Sequence, residues 1–168
     1  MKEKGIEDAV EAVKAVNEKY GRTVYTLDIY GQVDAEQIKW FEGLKASFPD
    51  FVRYKGLVAY DKSVEVLKDY FALLFPTRFY TEGIPGTIID AYAAGVPVIS
   101  AKWESFEDVV DDGVTGIGYE FGNSNALLHI LCQTAEKPTI ISEKKKKCIA
   151  TANEFAPCSA MQNLLRRI

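Results

Sequence analysis

The sequence predicts an α/β fold, an open and mainly parallel sheet with helices on both faces, and three observations carry that reading. Apolar runs of helical spacing and of strand character alternate along most of the 168 residues. Between residues 71 and 100 the pattern is strand, loop, helix, strand, with glycines at the helix entrance and prolines, Pro76 and Pro97, at the boundaries. A content of 48% hydrophobic and 26% charged residues is that of one globular domain able to bury a core, so residues 1–168 are read as a single domain.

Ile6, Ala9, Val10, Val13, Val16 and Tyr20 recur every three or four residues, which predicts an amphipathic first helix closed by Gly21. Residues 23–29 are rich in β-formers and predict a strand. Asp34, with Gln37 three residues on, is placed to cap a second helix whose apolar face carries Ile38, Phe41, Leu44 and Phe48. The next strand is expected at 51–54, a short helix at 63–69, and at 71–75 the strand that feeds the long loop. Residues 87–94 space their apolar and small side chains as a helix does. Gly95 can take the left-handed cap without a Cβ penalty, and Pro97 prevents continuation. Strands at 97–100 and 115–119 follow, then helices at 124–135, 143–154 and 157–167. With right-handed connections the loops after Ile29, Tyr54, Phe75 and Ser100 share the carboxyl edge of the sheet, where such folds bind ligands.

The helix entrance on that edge, Gly83-Ile84-Pro85-Gly86-Thr87, leaves backbone N–H groups uncovered where the helix dipole also favours an anion. Glu82 stands just before it and Asp90 lies inside the helix. Carboxylates repel phosphate but accept hydrogen bonds from sugar hydroxyls. Phosphate at the helix tip with hydroxyl-rich rings on either side is the layout of a nucleotide sugar.

Composition excludes other classes. A net charge of -4 does not suit a nucleic-acid binder, which needs a basic face. The sequence has no apolar run of about 18 residues and no signal-peptide core, so a cytoplasmic location is expected. Cys132, Cys148 and Cys158 have no C-x-x-C spacing and are read as reduced, semi-buried thiols. His129, the only histidine, is read as a packed or half-exposed helix residue, so no metal site is expected. The run Glu143-Lys144-Lys145-Lys146-Lys147 is read as a solvated helix face. Its four lysines would attract anionic lipid by about 1 kcal/mol each, which leaves peripheral membrane contact open.

The stretch Glu82-Gly83-Ile84-Pro85-Gly86-Thr87-Ile88-Ile89-Asp90-Ala91-Tyr92-Ala93-Ala94-Gly95-Val96-Pro97-Val98-Ile99 resembles the E-G-x-P-x-x-x-x-E-A-x-A-x-G-x-P-V-I segment of retaining GT-B glycosyltransferases, the family 4, group 1 type. Four shorter matches occur in the same order: Glu3-Lys4-Gly5-Ile6, Ile29-Tyr30-Gly31, Gly56-Leu57-Val58 and Asp111-Asp112-Gly113-Val114-Thr115-Gly116. Together they cover the nucleotide-sugar half of such an enzyme. Asp90 stands where the family has the second glutamate of its E-x7-E pair. Trp103-Glu104-Ser105-Phe106-Glu107-Asp108 stands where a glycine pair is usual. Residues 1–3 do not supply the strand and G-R loop that precede E-K-G in the family, and the acceptor-binding half has no counterpart here.

The resemblance implies a Rossmann-like GT-B half without its first strand, and a cofactor-free reaction in which a nucleoside-diphosphate sugar is the donor. Lys4 and residues 83–87 would stabilise the departing diphosphate, Glu82 would hold the donor hexose, Asp90 the ribose, and Val58 would lie against the base. The acceptor would be a saccharide or a lipid-linked saccharide, and little transfer is expected without the missing half. Two other classes fit the same residues: a non-catalytic nucleotide-binding module, and a glycoside hydrolase using Glu82 and Asp90. The spacing of those acids on one helix entrance disfavours the hydrolase. A parallel sheet lacking a central strand is expected either to self-associate or to close up, with 23–29 directly beside 71–75.

Overall fold

The computed structural model describes residues 2–155; the helix expected at 157–167 and Cys158 lie outside the described residues. Helix α1 (Ile6–Tyr20) starts after Gly5 at φ 68° and ends at Gly21 at φ 61°, where Gly21 N–H donates to Glu18 O. Both glycines occupy the left-handed region that side chains with a Cβ avoid. Asn17 is buried in the last turn. Its Oδ1 accepts from Val24 N and Tyr25 N at 2.8 and 3.0 Å, and its Nδ2 donates to Tyr25 O. That clamp occupies the backbone of 24 and 25, so β1 (Leu27–Tyr30) begins later than the β-former run suggests.

Ahead of α2 (Ile38–Lys45) a 3-10 turn, Ala35–Gln37, closes with Gln37 N donating to Asp34 O, and the expected side-chain cap is not formed. The Gln37 side chain instead accepts from Lys2 N at 2.9 Å and donates to Glu3 at 3.1 Å. Phe41 is buried, whereas Ile38 is 51% exposed. Strand β2 (Val52–Gly56), α3 (Ser63–Leu67), β3 (Leu73–Phe75) and α4 (Gly86–Ala93) follow, and Gly95 ends α4 at φ 72° as expected. Strand β4 (Val98–Ala101), α5 (Phe106–Val109), β5 (Gly116–Tyr119) and α6 (Ser124–Glu136) complete the alternation. The helix expected at 143–154 is present as α8 (Lys145–Ala152), and a short helix that was not expected, α7 (Thr139–Ser142), precedes it. Bonds of i to i−3 type at Lys144 and Lys147 tighten the junction.

All pairings are parallel, as the alternation predicts, but the strands form two sheets, β1-β2 and β3-β4-β5. The direct pairing of the first strand with 71–75 does not occur, and among the described residues no strand lies between them. Helix α1 is the physical reason. Ile6 and Val10 pack with Ile29 and Val52 of the first sheet, while Val13 and Val16 pack with Ile99 and Tyr119 of the second. One rigid helix anchored to both sheets keeps their edges apart.

Asp28 on β1 accepts from Arg53 Nε and Nη2 at 2.8 and 3.2 Å and from Tyr70 Oη at 2.7 Å, which ties β1 to β2 and to the segment before β3. Burial by itself raises this carboxyl, but the hydrogen bonds from Arg53 and Tyr70 outweigh it and hold Asp28 below the usual aspartate range.

Two outcomes are expected. A Cβ on Gly5 would stand 1.8 Å from Pro76 O, whereas one on Gly21 would meet nothing within 4 Å, although both residues have positive φ. Gly21→Ala should therefore cost about 1–2 kcal/mol of backbone strain, and Gly5→Ala about 3 kcal/mol or more once overlap is added, read as the shift in urea midpoint at constant m-value. For Asp28, a folded-state value below the unfolded one gives stability that is present above the unfolded value and lost as pH falls through the folded one. Asp28→Asn should thus destabilise at pH 7, and the gap from wild type should narrow below about pH 4 in urea titrations at both pH values.

Candidate functional site

The site is built where the start of α1 meets the loop after β3. Arg78 N donates to Glu3 O at 2.7 Å and Thr77 Oγ1 to the same oxygen at 3.3 Å, so the 3-10 turn Lys2–Lys4 is stitched to that loop. Gly5 permits this closeness, since any Cβ there would collide with Pro76. Lys4 Nζ then donates to Glu82 Oε2 at 2.6 Å. The glutamate side chain is 15% exposed and the lysine 50%. Thr77, itself buried, places Oγ1 3.4 Å from the same carboxylate oxygen.

Helix α4 opens after Pro85, and Gly86 and Thr87 form the start of its first turn, whose N–H groups have no acceptor within the helix. Gly83, Ile84, Gly86 and Thr87 are exposed, and a Cβ on either glycine would meet nothing within 4 Å. One turn further, Asp90 accepts a 2.6 Å hydrogen bond from Ser63 Oγ, which joins α4 to α3.

These groups rim a cavity of about 740 Å³ between the two sheets. Of the residues singled out from sequence, Lys4, Val58, Pro85, Thr87 and Asp90 line it. Glu82 joins them through Lys4, while Gly83, Ile84 and Gly86 form the exposed lip beside it. The rim also carries Tyr60, 95% exposed and at the end of the stretch 58–60 expected beside the base, and Ser63, which the sequence pattern did not single out. Ser63 bonds Asp90 across 27 residues, a separation that no local periodicity reveals. Arg78, the arginine of this loop, donates to Glu7 at 2.9 Å and to both Asp8 oxygens at 2.8 Å, so it anchors α1 and does not line the cavity.

The segment that replaces the glycine pair turns inward. Trp103 and Phe106 are buried with ring centroids 5.5 Å apart, and Glu104 N donates to Tyr80 O at 2.9 Å. Lys144 donates to Gly113 O, while Lys146 and Lys147 are exposed. Cys132 and Cys148 are free and buried more fully than expected, and burial pushes the Cys148 thiol up to about 11. His129 is exposed on α6. Among the described residues no cluster of three or more His, Cys, Asp or Glu could hold a metal ion, and no helix is long and apolar enough to cross a membrane.

Comparison with known proteins places this geometry. The chain is 26% identical over 137 residues to the amylovoran biosynthesis glycosyltransferase AmsK of Erwinia amylovora, covering 79% of this chain and 33% of that protein. It is 28% identical over 157 residues to an uncharacterized 41.2 kDa protein in the cps region of Klebsiella pneumoniae, covering 92% and 38%. The chain thus spans little more than a third of these relatives. The crystal structure of Anabaena Alr3699/HepE in complex with UDP superposes with a TM-score of 0.84 at 17% identity, over 99% of this chain and 45% of that one, and shares the GT-B glycosyltransferase domain fold. Residues 1–137 match the profile of the glycosyl transferases group 1 family, and the chain belongs to that family.

Proposed function

We propose that residues 1–168 form the nucleotide-sugar-binding half of a retaining glycosyltransferase, one that moves a hexose from a nucleoside-diphosphate sugar to a saccharide or lipid-linked acceptor. The observation that carries this reading is the convergence of Lys4, Glu82, the α4 amides and Asp90 on one cavity mouth. The name of one relative, an amylovoran biosynthesis glycosyltransferase, supports a biosynthetic glycosyl-transfer setting. The acceptor-binding half lies outside these residues, and transfer depends on it.

In this reading Lys4 is the diphosphate partner and Glu82 is its resting counter-ion. An arriving diphosphate takes Lys4, with the Gly86 and Thr87 amides as further donors, and Glu82 is released toward the donor hexose. Preorganised cationic and dipolar groups at the departing diphosphate lower the barrier without a protein nucleophile. Asp90, oriented by Ser63, accepts from the ribose, and Val58 backs the base. A hydrolase needs two carboxyl groups facing each other across a bond. Here Glu82 is paired with Lys4, and Asp90 is held by Ser63 on the helix, which favours the transferase reading.

Titration calorimetry with UDP, the nucleotide of the Anabaena complex, and with UDP-glucose tests the assignment. Gly86→Val fits the free fold, since its Cβ meets open space, yet it covers the amides; it should weaken UDP at least about tenfold with little change in Tm. Equal affinity would rule out the helix tip. Glu82→Gln frees Lys4, so UDP should bind as tightly as in wild type or more tightly, while UDP-glucose weakens about tenfold or more, the worth of a charge-assisted hydrogen bond. Asp90→Ala should weaken both ligands by a similar factor. The same losses for both ligands in both acid variants would defeat the division of roles.

A further inference from the structure

The loop between β3 and α4 carries a feature that the donor site does not use. Within six residues it leaves Phe79, Tyr80 and Ile84 48%, 52% and 61% exposed, around Glu82. Grouped exposed apolar side chains of this size mark a contact surface. The two rings are held in place. Phe79 N donates to Thr77 Oγ1 at 3.1 Å and Glu82 N to Phe79 O at 3.3 Å, which closes the turn on the residue that bears the carboxylate. Tyr80 O accepts from Glu104 N at 2.9 Å, and the Tyr80 ring meets Phe121 edge-on, with centroids 5.2 Å apart and an interplanar angle of 80°. Three loops, those after β3, β4 and β5, thus fix one tyrosine ring while half of it stays in solvent.

We infer that Tyr80, with Phe79 beside it, is a stacking platform for one neutral pyranose ring of the acceptor saccharide, and that Glu104 accepts from its hydroxyls. Charge selects this occupant. The cations of the three loops are taken: Arg78 is bound by Glu7 and Asp8, and Lys102 Nζ lies 2.7 Å from Asp112. Glu104 and Glu120 are exposed, so the surface repels an anionic bilayer or a phosphate. A neutral sugar suits both of its parts. The C–H face of a pyranose lies on the electron-rich face of an aromatic ring, and its hydroxyls donate to carboxylates. Thr77 links the platform to the donor side, since its Oγ1 accepts from Phe79 N and lies 3.4 Å from Glu82 Oε2. One hydroxyl thereby ties the platform to the carboxylate that receives the donor hexose. The acceptor role rests on the transferase reading; binding of the sugar to the rings does not.

The test is an NMR titration of the full chain with methyl β-glucoside, alone and with UDP-glucose at saturation, beside methyl β-glucuronide. The glucoside should shift the Tyr80 ring signals saturably in both arms. The glucuronide should bind at least about threefold more weakly, because its carboxylate meets Glu104. Tyr80→Ala should weaken the glucoside about fivefold, the worth of one aromatic contact, whereas Tyr80→Phe keeps the ring and should stay within about twofold. Tyr80→Ala also removes the Phe121 contact, so Glu104→Gln is the second variant. It keeps the backbone bond to Tyr80 O and should narrow the gap between glucoside and glucuronide to within about twofold. Glucoside binding that persists where UDP-glucose does not bind supports the platform and counts against the transferase reading alone. The inference is overturned if the glucoside leaves the Tyr80 ring unmoved, if Tyr80→Ala binds it equally, or if the glucuronide binds as well to wild type. Shifts abolished by bound UDP-glucose would also overturn it, because the glucoside would then occupy the donor subsite. Flotation with phosphatidylglycerol vesicles that retain wild type and release Tyr80→Ala would do the same, since the rings would then face a membrane.

Discussion

The packing of one helix across two sheets is the constraint on which the rest of this structure depends. Helix α1 gives its first turns to Ile29 and Val52 and its later turns to Ile99 and Tyr119. Its height is set at Gly5, whose missing side chain lets the helix start touch the Pro76 carbonyl. From that placement follow both the cavity between the sheets and the position of Lys4 at its mouth. A shift of α1 by one turn, about 5.4 Å, would carry Lys4 out of reach of Glu82 and break both halves of the core.

Charge reinforces the same junction in two unlike ways. Glu7 and Asp8 sit in the first turn of α1, where the helix dipole favours acids, and both bind Arg78 of the loop after β3. This forked pairing is a structural staple, and it removes Arg78 from the rim. The Lys4 to Glu82 pair is a single contact with a half-exposed lysine. Pairs of that kind contribute no more than about 1 kcal/mol, so a multiply charged ligand can displace one partner without disturbing the fold. A strong staple therefore stands beside an exchangeable pair at the same junction.

Much of this architecture could be read from residue order. The spacing of Ile6, Val10, Val13 and Val16 gives α1, Gly21 and Gly95 end their helices with the backbone angles expected, and the strand, loop, helix, strand unit around 71–100 is present as β3, α4 and β4. The differences come from contacts between residues well apart in sequence. The first strand starts late because Asn17 clamps residues 24 and 25, and the reciprocal Asp34–Gln37 cap is not formed: Gln37 N donates to Asp34 O, and the Gln37 side chain bonds Lys2 and Glu3. Such side-chain contacts join residues 7 to 35 positions apart, beyond any helical or strand period.

Sequence by itself determined the alternating α/β pattern, the glycine-rich entrance to α4 and the identity of the polar groups around it, because each follows from local backbone preference and short-range spacing. Tertiary structure alone decided that Ser63 orients Asp90, that Arg78 is spent on α1, that Glu82 rests on Lys4, and that the strands stand as two sheets on either side of a groove. These are long-range outcomes, fixed by where a single helix can bury its apolar face against both sheets at once.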